Sequence, residues 1–246
     1  MYRPEATHVA QEFPITVVAD GPNIQTLSPN DVIAELSVEG DLDGELVIGI
    51  SYPTPFSSWV TGGAPPFIPD ILTPTDTNEP YLSWLNFVLG QKTIPLVIST
   101  SYGDDEQTVP YSYAKRVCDG FMALGARGTT VVFGSGDDGV GPDGTCFSNK
   151  DNTTATFLPE FPASCPWVTT VGATADYLPE VAVSWFASGA GFSNYFGMPG
   201  YQASTVKGYL SKIGNLNAGL YNASGRAYPG QCPSVQKRSN IDMSPK

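Results

Sequence analysis

The stretch "VVFGSGDDGVG", residues 131–141, decides how this chain is read. An apolar, β-branched run with the look of a buried strand ends in Gly134-Ser135-Gly136-Asp137-Asp138-Gly139, which matches the G-x-G-x-x-G spelling of a dinucleotide-binding turn. Two physical objections exclude a phosphate cradle. Asp137 and Asp138 would set like charges against a pyrophosphate. The residues that follow, "GPDGTCFSNKDNTTATF" (141–157), are turn formers without helical periodicity, whereas the fingerprint needs a helix at once. Two readings remain: a Gly/Asp surface turn, or acids placed for chemistry at the end of a strand.

The flanking sequence favours an α/β fold. "FPITVVAD" (13–20), "ELVIGISY" (45–52), "TIPLVISTSYG" (93–103), "TTVVFGSGD" (129–137) and "WVTTVGAT" (167–174) read as strands. The last two are apolar enough for a sheet covered on both faces. "SPNDVIAELSVEGDLDG" (28–44) carries capping residues and an incomplete apolar stripe, so it reads as a helix weakened by Gly40. "NEPYLSWLNFVLGQ" (78–91) and "PYSYAKRVCDGFMALGARG" (110–128) read as helices. "PTPFSSWVTGGAPPFIPD" (53–70), with five prolines, reads as loop. Strands alternating with helices predict a parallel sheet, and sites in such sheets gather at the C-terminal strand ends, where Asp137 falls.

Composition narrows the chemistry. Over 246 residues, 24 Asp and Glu oppose 12 Lys and Arg, and before Lys92 the only basic residue is Arg3. That acidic surface repels nucleic acid and anionic membranes. No run reaches transmembrane length, and "MYRPEATHVAQEF" (1–13) lacks the regions of a signal peptide. Four cysteines form no C-x-x-C pair; Cys146 and Cys165 bracket a loop-rich stretch and stand as a candidate disulfide. Asn152-Thr153-Thr154 and Asn222-Ala223-Ser224 are glycosylation sequons.

The sole histidine, His8, sits in what reads as a loose N-terminal arm. A Ser-His-Asp triad or an H-E-x-x-H zinc site would have to use it, so acid/base work falls to carboxylates. Glu39 and Asp43 are four apart and share a helix face if 30–43 is helical. Two close carboxyl groups resist ionising together, and such a pair can pass a proton. Glu35 extends the row, as a solvated acidic helix face would also show.

Five blocks bring these features together: "EGDLD" (39–43), "TSYGDDEQTVP" (100–110), "LGARGTTVVFGSGDDGVG" (124–141), "FPASCPWVTTVGAT" (161–174) and "SGAGFSNYF" (188–196). In order and spacing they resemble the sedolisins, the serine-carboxyl peptidases, and most of all fungal tripeptidyl peptidases, from about residue 14 to Pro229. The resemblance implies a subtilisin-like parallel sheet with flanking helices, incomplete in its C-terminal part, and a secreted monomer acting on peptides or proteins. It implies that Glu39 is the general base, Asp43 the acid that orients it, and Asp137 the acid in the oxyanion hole. A carboxyl group stabilises an oxyanion only by donating a hydrogen bond, so that role requires acid pH. Asp138 matches a position that varies in the family. Ser101, Tyr102, Gly103 and Gly136, with the "SGAGFS" segment, match edges of the substrate cleft, although Ala190 stands where the family shows glycine.

The family's nucleophile lies in a Gly-Thr-Ser motif, and residues 1–246 contain none. Ser135, Ser188 and Ser234 lack motif support as substitutes. The family's calcium site belongs to the same missing C-terminal part, so no cofactor is expected here. The expected organisation is the N-terminal part of a peptidase domain over 1–229 and an unaligned polar tail over 230–246. Such a chain is expected to be inactive and to fold poorly alone, with an open sheet edge. The competing readings are a peptide-binding pseudopeptidase and a glycoside hydrolase with paired carboxylates, which needs a sugar cleft between them. An aspartic peptidase needs two Asp-Thr/Ser-Gly motifs, and none occurs.

Overall fold

The chain enters through a short helix, α1 (Thr7–Gln11), and a strand, β1 (Ile15–Val18), within the expected 13–20 stretch. The N-terminal arm is not loose: His8 stands edge-on to Tyr52, ring centroids 6.0 Å apart. The computed structural model describes residues 3–34, 36, 38–141, 146–176 and 178–229; Glu35, and the 230–246 tail with Ser234, lie outside the described residues.

Helix α2 (Pro29–Ile33) starts at a reciprocal cap, in which the Asp31 N–H donates to Ser28 Oγ at 3.2 Å and the Ser28 N–H donates to Asp31 Oδ2 at 2.8 Å. A second helix, α3 (Val38–Ser51), then runs through Gly40 and overturns the strand expected at 45–52. "ELVIGIS" is too short an apolar run for periodicity to separate helix from strand. Its buried positions decide: Gly44 and Ile48 lie four apart, one helical turn. Strand β2 (Ser58–Thr61) corrects the loop expected at 53–70, because the prolines flank "SWVT" without interrupting it.

β1 and β2 pair in parallel, Ile15 opposite Ser58 through Val18 opposite Thr61, with α2 and α3 in the crossover. Helix α4 (Tyr81–Gly90) buries Tyr81, Trp84, Leu85 and Val88, an i, i+3, i+4, i+7 stripe. Trp84 meets Trp59 of β2 at 5.9 Å between ring centroids. These elements form one unit, Met1–Pro65 with Glu79–Ile94.

The second unit is Pro66–Asn78 with Pro95–Lys246. It runs through β3 (Val97–Thr100), the short β4 (Asp104–Asp105), α5 (Tyr111–Ala126), β5 (Thr130–Gly134), the short β6 (Glu160–Phe161) and β7 (Thr169–Val171). The hairpin β8 (Thr174–Ala175) and β9 (Val181–Ala182) follows, then β10 (Gly191–Gly197), α6 (Ala203–Ile213) and β11 (Gly225–Tyr228). Its central sheet is parallel in the order β3-β5-β7, with Ile98 opposite Val131 and Phe133 opposite Thr170.

Helix α5 covers one face with Ala114, Val117, Cys118, Phe121 and Leu124, and Phe121 meets Phe133 of β5 at 5.2 Å between centroids. The expectation of a sheet covered on both faces does not hold at β7, where Thr170 is 2% exposed but Val171 is 53% exposed. The disulfide joins Cys118 to Cys165, Cα atoms 5.7 Å apart, so the expected Cys146–Cys165 pair is corrected. Cys165 lies fully buried against α5, and Cys146 is a free thiol. Arg226 of β11 pins the same segment from beneath, donating to the carbonyls of Ala163 at 2.9 Å and Val168 at 3.2 Å.

Candidate active site

β5 delivers the "SGDDG" turn at its C-terminal end, as the topology requires. Ser135 continues the sheet, donating its N–H to Val171 O at 2.9 Å. Gly136 and Gly139 then take left-handed backbone, φ +90° and +65°. Segment 187–190 braces this turn from outside. Gly139 N–H donates to Ala187 O at 2.6 Å, Gly189 N–H to Gly136 O at 2.6 Å, and Ala190 N–H to Gly139 O at 3.0 Å. Below them Ser188 Oγ accepts from the Ala173 N–H at 2.9 Å and lies 3.5 Å from Ser135 Oγ. A side chain at Gly189 would collide with the Ser135 carbonyl. The brace fixes the turn while Asp137 and Asp138 face solvent.

β3, the parallel neighbour of β5, ends at Thr100 and leads into Ser101-Tyr102-Gly103, so the pairing sets these residues beside the "SGDDG" turn. Tyr102 Oη donates to Thr77 O at 2.7 Å. Glu160, on β6, lies under both edges. A Cβ on Gly136 would run into its carboxyl, and one on Gly103 would come within 3.1 Å of Oε2. Four of the sequence-derived residues, Ser101, Gly103, Gly136 and Asp137, therefore share one end of one sheet. Glu39 and Asp43 belong to the other unit. They lie four apart on α3, Glu39 exposed and Asp43 half-buried, one helical turn from each other.

The acids beneath the turn were not singled out from sequence. β4 and β6 pair Asp104 with Phe161 and Asp105 with Glu160. Burial, then the charges of Asp105, Asp138, Asp137 and Asp104, push the Glu160 carboxyl up to about 8. Burial, then the charge of Asp70, pushes Asp105 up to about 7. Burial also raises Asp104, against the Thr77 hydroxyl that donates to it at 2.7 Å. Glu106 is 1% exposed, and burial raises it to about 7 despite four donors. These are Ser193 Oγ at 2.5 Å, Ser164 Oγ at 2.7 Å, and the N–H groups of Asn194 at 2.7 Å and Tyr195 at 3.2 Å. Glu106 thus ties the end of β4 to β10. The available signal was "GDDE" (103–106), a second acidic run placed just after a strand, like Asp137 and Asp138. Among the described residues, no group of three His, Cys, Asp or Glu is disposed to hold a metal ion, and no helix is long and apolar enough to cross a membrane.

Comparison with known proteins gives one consistent set of relatives. The chain is 42% identical over 229 residues to tripeptidyl-peptidase sed4 of Aspergillus fumigatus, covering 89% of this chain and 37% of that protein. It is 46% identical over 198 residues to tripeptidyl-peptidase SED2 of Arthroderma otae, covering 78% of this chain and 33% of that protein. The chain therefore spans about a third of the length of these curated relatives. No family model matches. In fold, it resembles the solved Pseudomonas sedolisin, a serine-carboxyl proteinase complexed with two molecules of pseudo-iodotyrostatin. The TM-score is 0.52 at 18% identity, over 93% of this chain and 59% of that one.

Proposed function

The chain belongs to the sedolisin family, and we propose that it carries the carboxylate half of a serine-carboxyl peptidase site that hydrolyses peptides at acid pH. One observation supports this reading above others: Asp137 projects from a braced turn at the C-terminal end of a central parallel strand, over buried carboxyls that hold their protons. In the proposed reaction Glu39 accepts the proton of a serine hydroxyl, Asp43 hydrogen-bonds to Glu39 and orients it, and that serine attacks the peptide carbonyl. Protonated Asp137 donates a hydrogen bond to the oxyanion that forms. The backbone at Ser101, Tyr102, Gly103 and Gly136 borders the bound peptide. The substrate is a peptide with a free N-terminus, losing three residues at a time, and the protein works as a secreted monomer.

Residues 1–246 contain no Gly-Thr-Ser, so the chain by itself does not complete the reaction. The same fact favours a second reading, a pseudopeptidase that binds peptides without cleaving them. The test is tripeptide release at acid pH by the chain alone and by the chain extended with the C-terminal portion of a fungal relative. The expected result is release only from the extended form, with Asp137→Ala lowering kcat by about 10²–10³. Release by the unextended chain would overturn the claim of inactivity. Undiminished kcat in the extended Asp137→Ala variant would remove the oxyanion role.

A further inference from the structure

The two sequons carry the same chemistry in sequence and opposite environments in the fold. Asn152 sits at the tip of a turn closed by an antiparallel bridge between Phe147 and Ala155. Ser148 N–H donates to Thr154 O at 2.9 Å, and Asn152 N–H donates to Ser148 O at 2.8 Å. Asn152 adopts left-handed backbone, φ +56°, which asparagine tolerates better than most residues. The Asp151 carboxylate holds the turn by accepting from the N–H groups of Thr153 at 3.0 Å and Thr154 at 2.9 Å, and from Thr154 Oγ1 at 2.6 Å. Residues 150–155 are all exposed. The turn is built without the Asn152 side chain, which is left in solvent.

Asn222 is used differently. Its Nδ2 donates to Ser193 O at 2.9 Å, and its Oδ1 accepts from Ser224 N–H at 3.2 Å and Ser224 Oγ at 2.8 Å. Ser193 is fully buried, and Gly225 packs so closely on its backbone that no Cβ fits there. The nitrogen that would carry a sugar is turned into the fold, and a glycan there would compete with the contact joining this loop to β10.

We infer that, of the two sequons in residues 1–246, Asn152 carries an N-glycan and Asn222 does not. The inference rests on the secretory reading above, which the buried Cys118–Cys165 disulfide favours independently, since such bonds persist in oxidising compartments. The co-substrate is a lipid-linked oligosaccharide. Asn152 Nδ2 bonds to C1 of the sugar, the bond from C1 to the lipid diphosphate breaks, the diphosphate leaves, and the amide loses one proton.

The experiment directs the chain into the secretory pathway of a fungal host behind a cleavable leader, then treats the recovered protein with peptide-N-glycosidase. The expected result is one glycan, released with conversion of Asn152 to Asp in its own peptide. Asn152→Gln should lose the mass shift entirely, and Asn222→Gln should keep it. Where no chain reaches the medium, translation into sealed microsomes reads the same band shift on both variants. The inference fails if Asn152 stays unmodified on translocated chain, or if Asn222→Gln is the variant that loses the shift. Either failure leaves the secretory reading standing, which is tested separately by locating the native protein in its own host.

Discussion

Substituting Glu160→Gln should remove much of the alkaline sensitivity of this fold. Glu160 keeps its proton up to about 8 in the folded chain, against 4.5 for an ordinary glutamate, because it is buried among Asp105, Asp138, Asp137 and Asp104. A carboxyl group raised in the folded state binds more protons folded than unfolded over that window. Stability is therefore full below 4.5, falls as pH climbs, and has lost the whole contribution above about 8. At ~1.4 kcal/mol per pH unit, the loss comes to about 5 kcal/mol. Asp105, raised from 3.8 to about 7, owes part of its shift to the same set of charges, so the cluster titrates as one coupled unit on the order of 5 kcal/mol rather than as a sum. That is a large share of the roughly 5–15 kcal/mol that holds a domain together. For a chain this long it corresponds to a fall in Tm of about 10–20 °C between pH 4 and pH 8. Glutamine keeps the shape of the protonated carboxyl under Gly103 and Gly136 but cannot ionise. Thermal melts followed by circular dichroism should show the two proteins converging at pH 4 and the variant ahead at pH 8. A wild-type Tm that stays flat over this range, or an unchanged pH slope in Glu160→Gln, would refute the reasoning.

Three other substitutions probe the frame around the site. Gly136→Ala sets a side chain on left-handed backbone and into the Glu160 carboxyl, and should cost about 2–3 kcal/mol in urea unfolding. Cys118→Ala opens a link across 47 residues and leaves Cys165 as a buried thiol; an equilibrium loss of about 3–4 kcal/mol is expected, abolished when wild type is compared under reducing conditions. Ser28→Ala removes the side-chain half of the α2 cap and should cost about 1 kcal/mol, with no change in the pH slope that Glu160 controls.

The sequence made the second unit legible because its signals are redundant there. The burial stripe of α5 and the β-branched runs of β3 and β5 each fix one period and are bounded by Gly or Pro. The first unit was harder. Residues 45–51 combine strand-forming residues with a helical register set by Gly44 and Ile48, and only the burial of those two positions separates the alternatives. β2 was hidden by the prolines on either side of it. The site shows the same division. Asp137 stands out because two acids in a Gly-rich turn are conspicuous, whereas Ser101, Tyr102 and Gly103 are marked only by the resemblance to the sedolisins. Glu160 does not stand out, since it comes to the site through the pairing of two-residue strands some 55 positions apart in sequence. Cys165 pairs with a helix rather than a neighbouring loop for the same reason: contacts between packed elements are not ordered by sequence distance.

The two carboxylate populations place one requirement on the solvent. Asp137 can serve an oxyanion only as a hydrogen-bond donor, that is, protonated, so the proposed chemistry belongs at low pH. Glu160 and Asp105 are folded most cheaply when protonated, so the architecture beneath that chemistry belongs at low pH as well. The two demands are linked through space, because the charge on Asp137 is one of those that raise Glu160. The charges of the turn therefore help Glu160 to keep its proton beneath it. On this view the acids of the "SGDDG" turn and those on β4 and β6 act as a single device. Glu160 is already neutral across the acid range in which the proposed chemistry runs, so Glu160→Gln should leave the pH–kcat profile of the extended enzyme in place at acid pH while it flattens the fall in stability toward pH 8. A profile that shifts at acid pH in Glu160→Gln would show that Glu160 carries charge where the chemistry runs, and would overturn this account of the cluster.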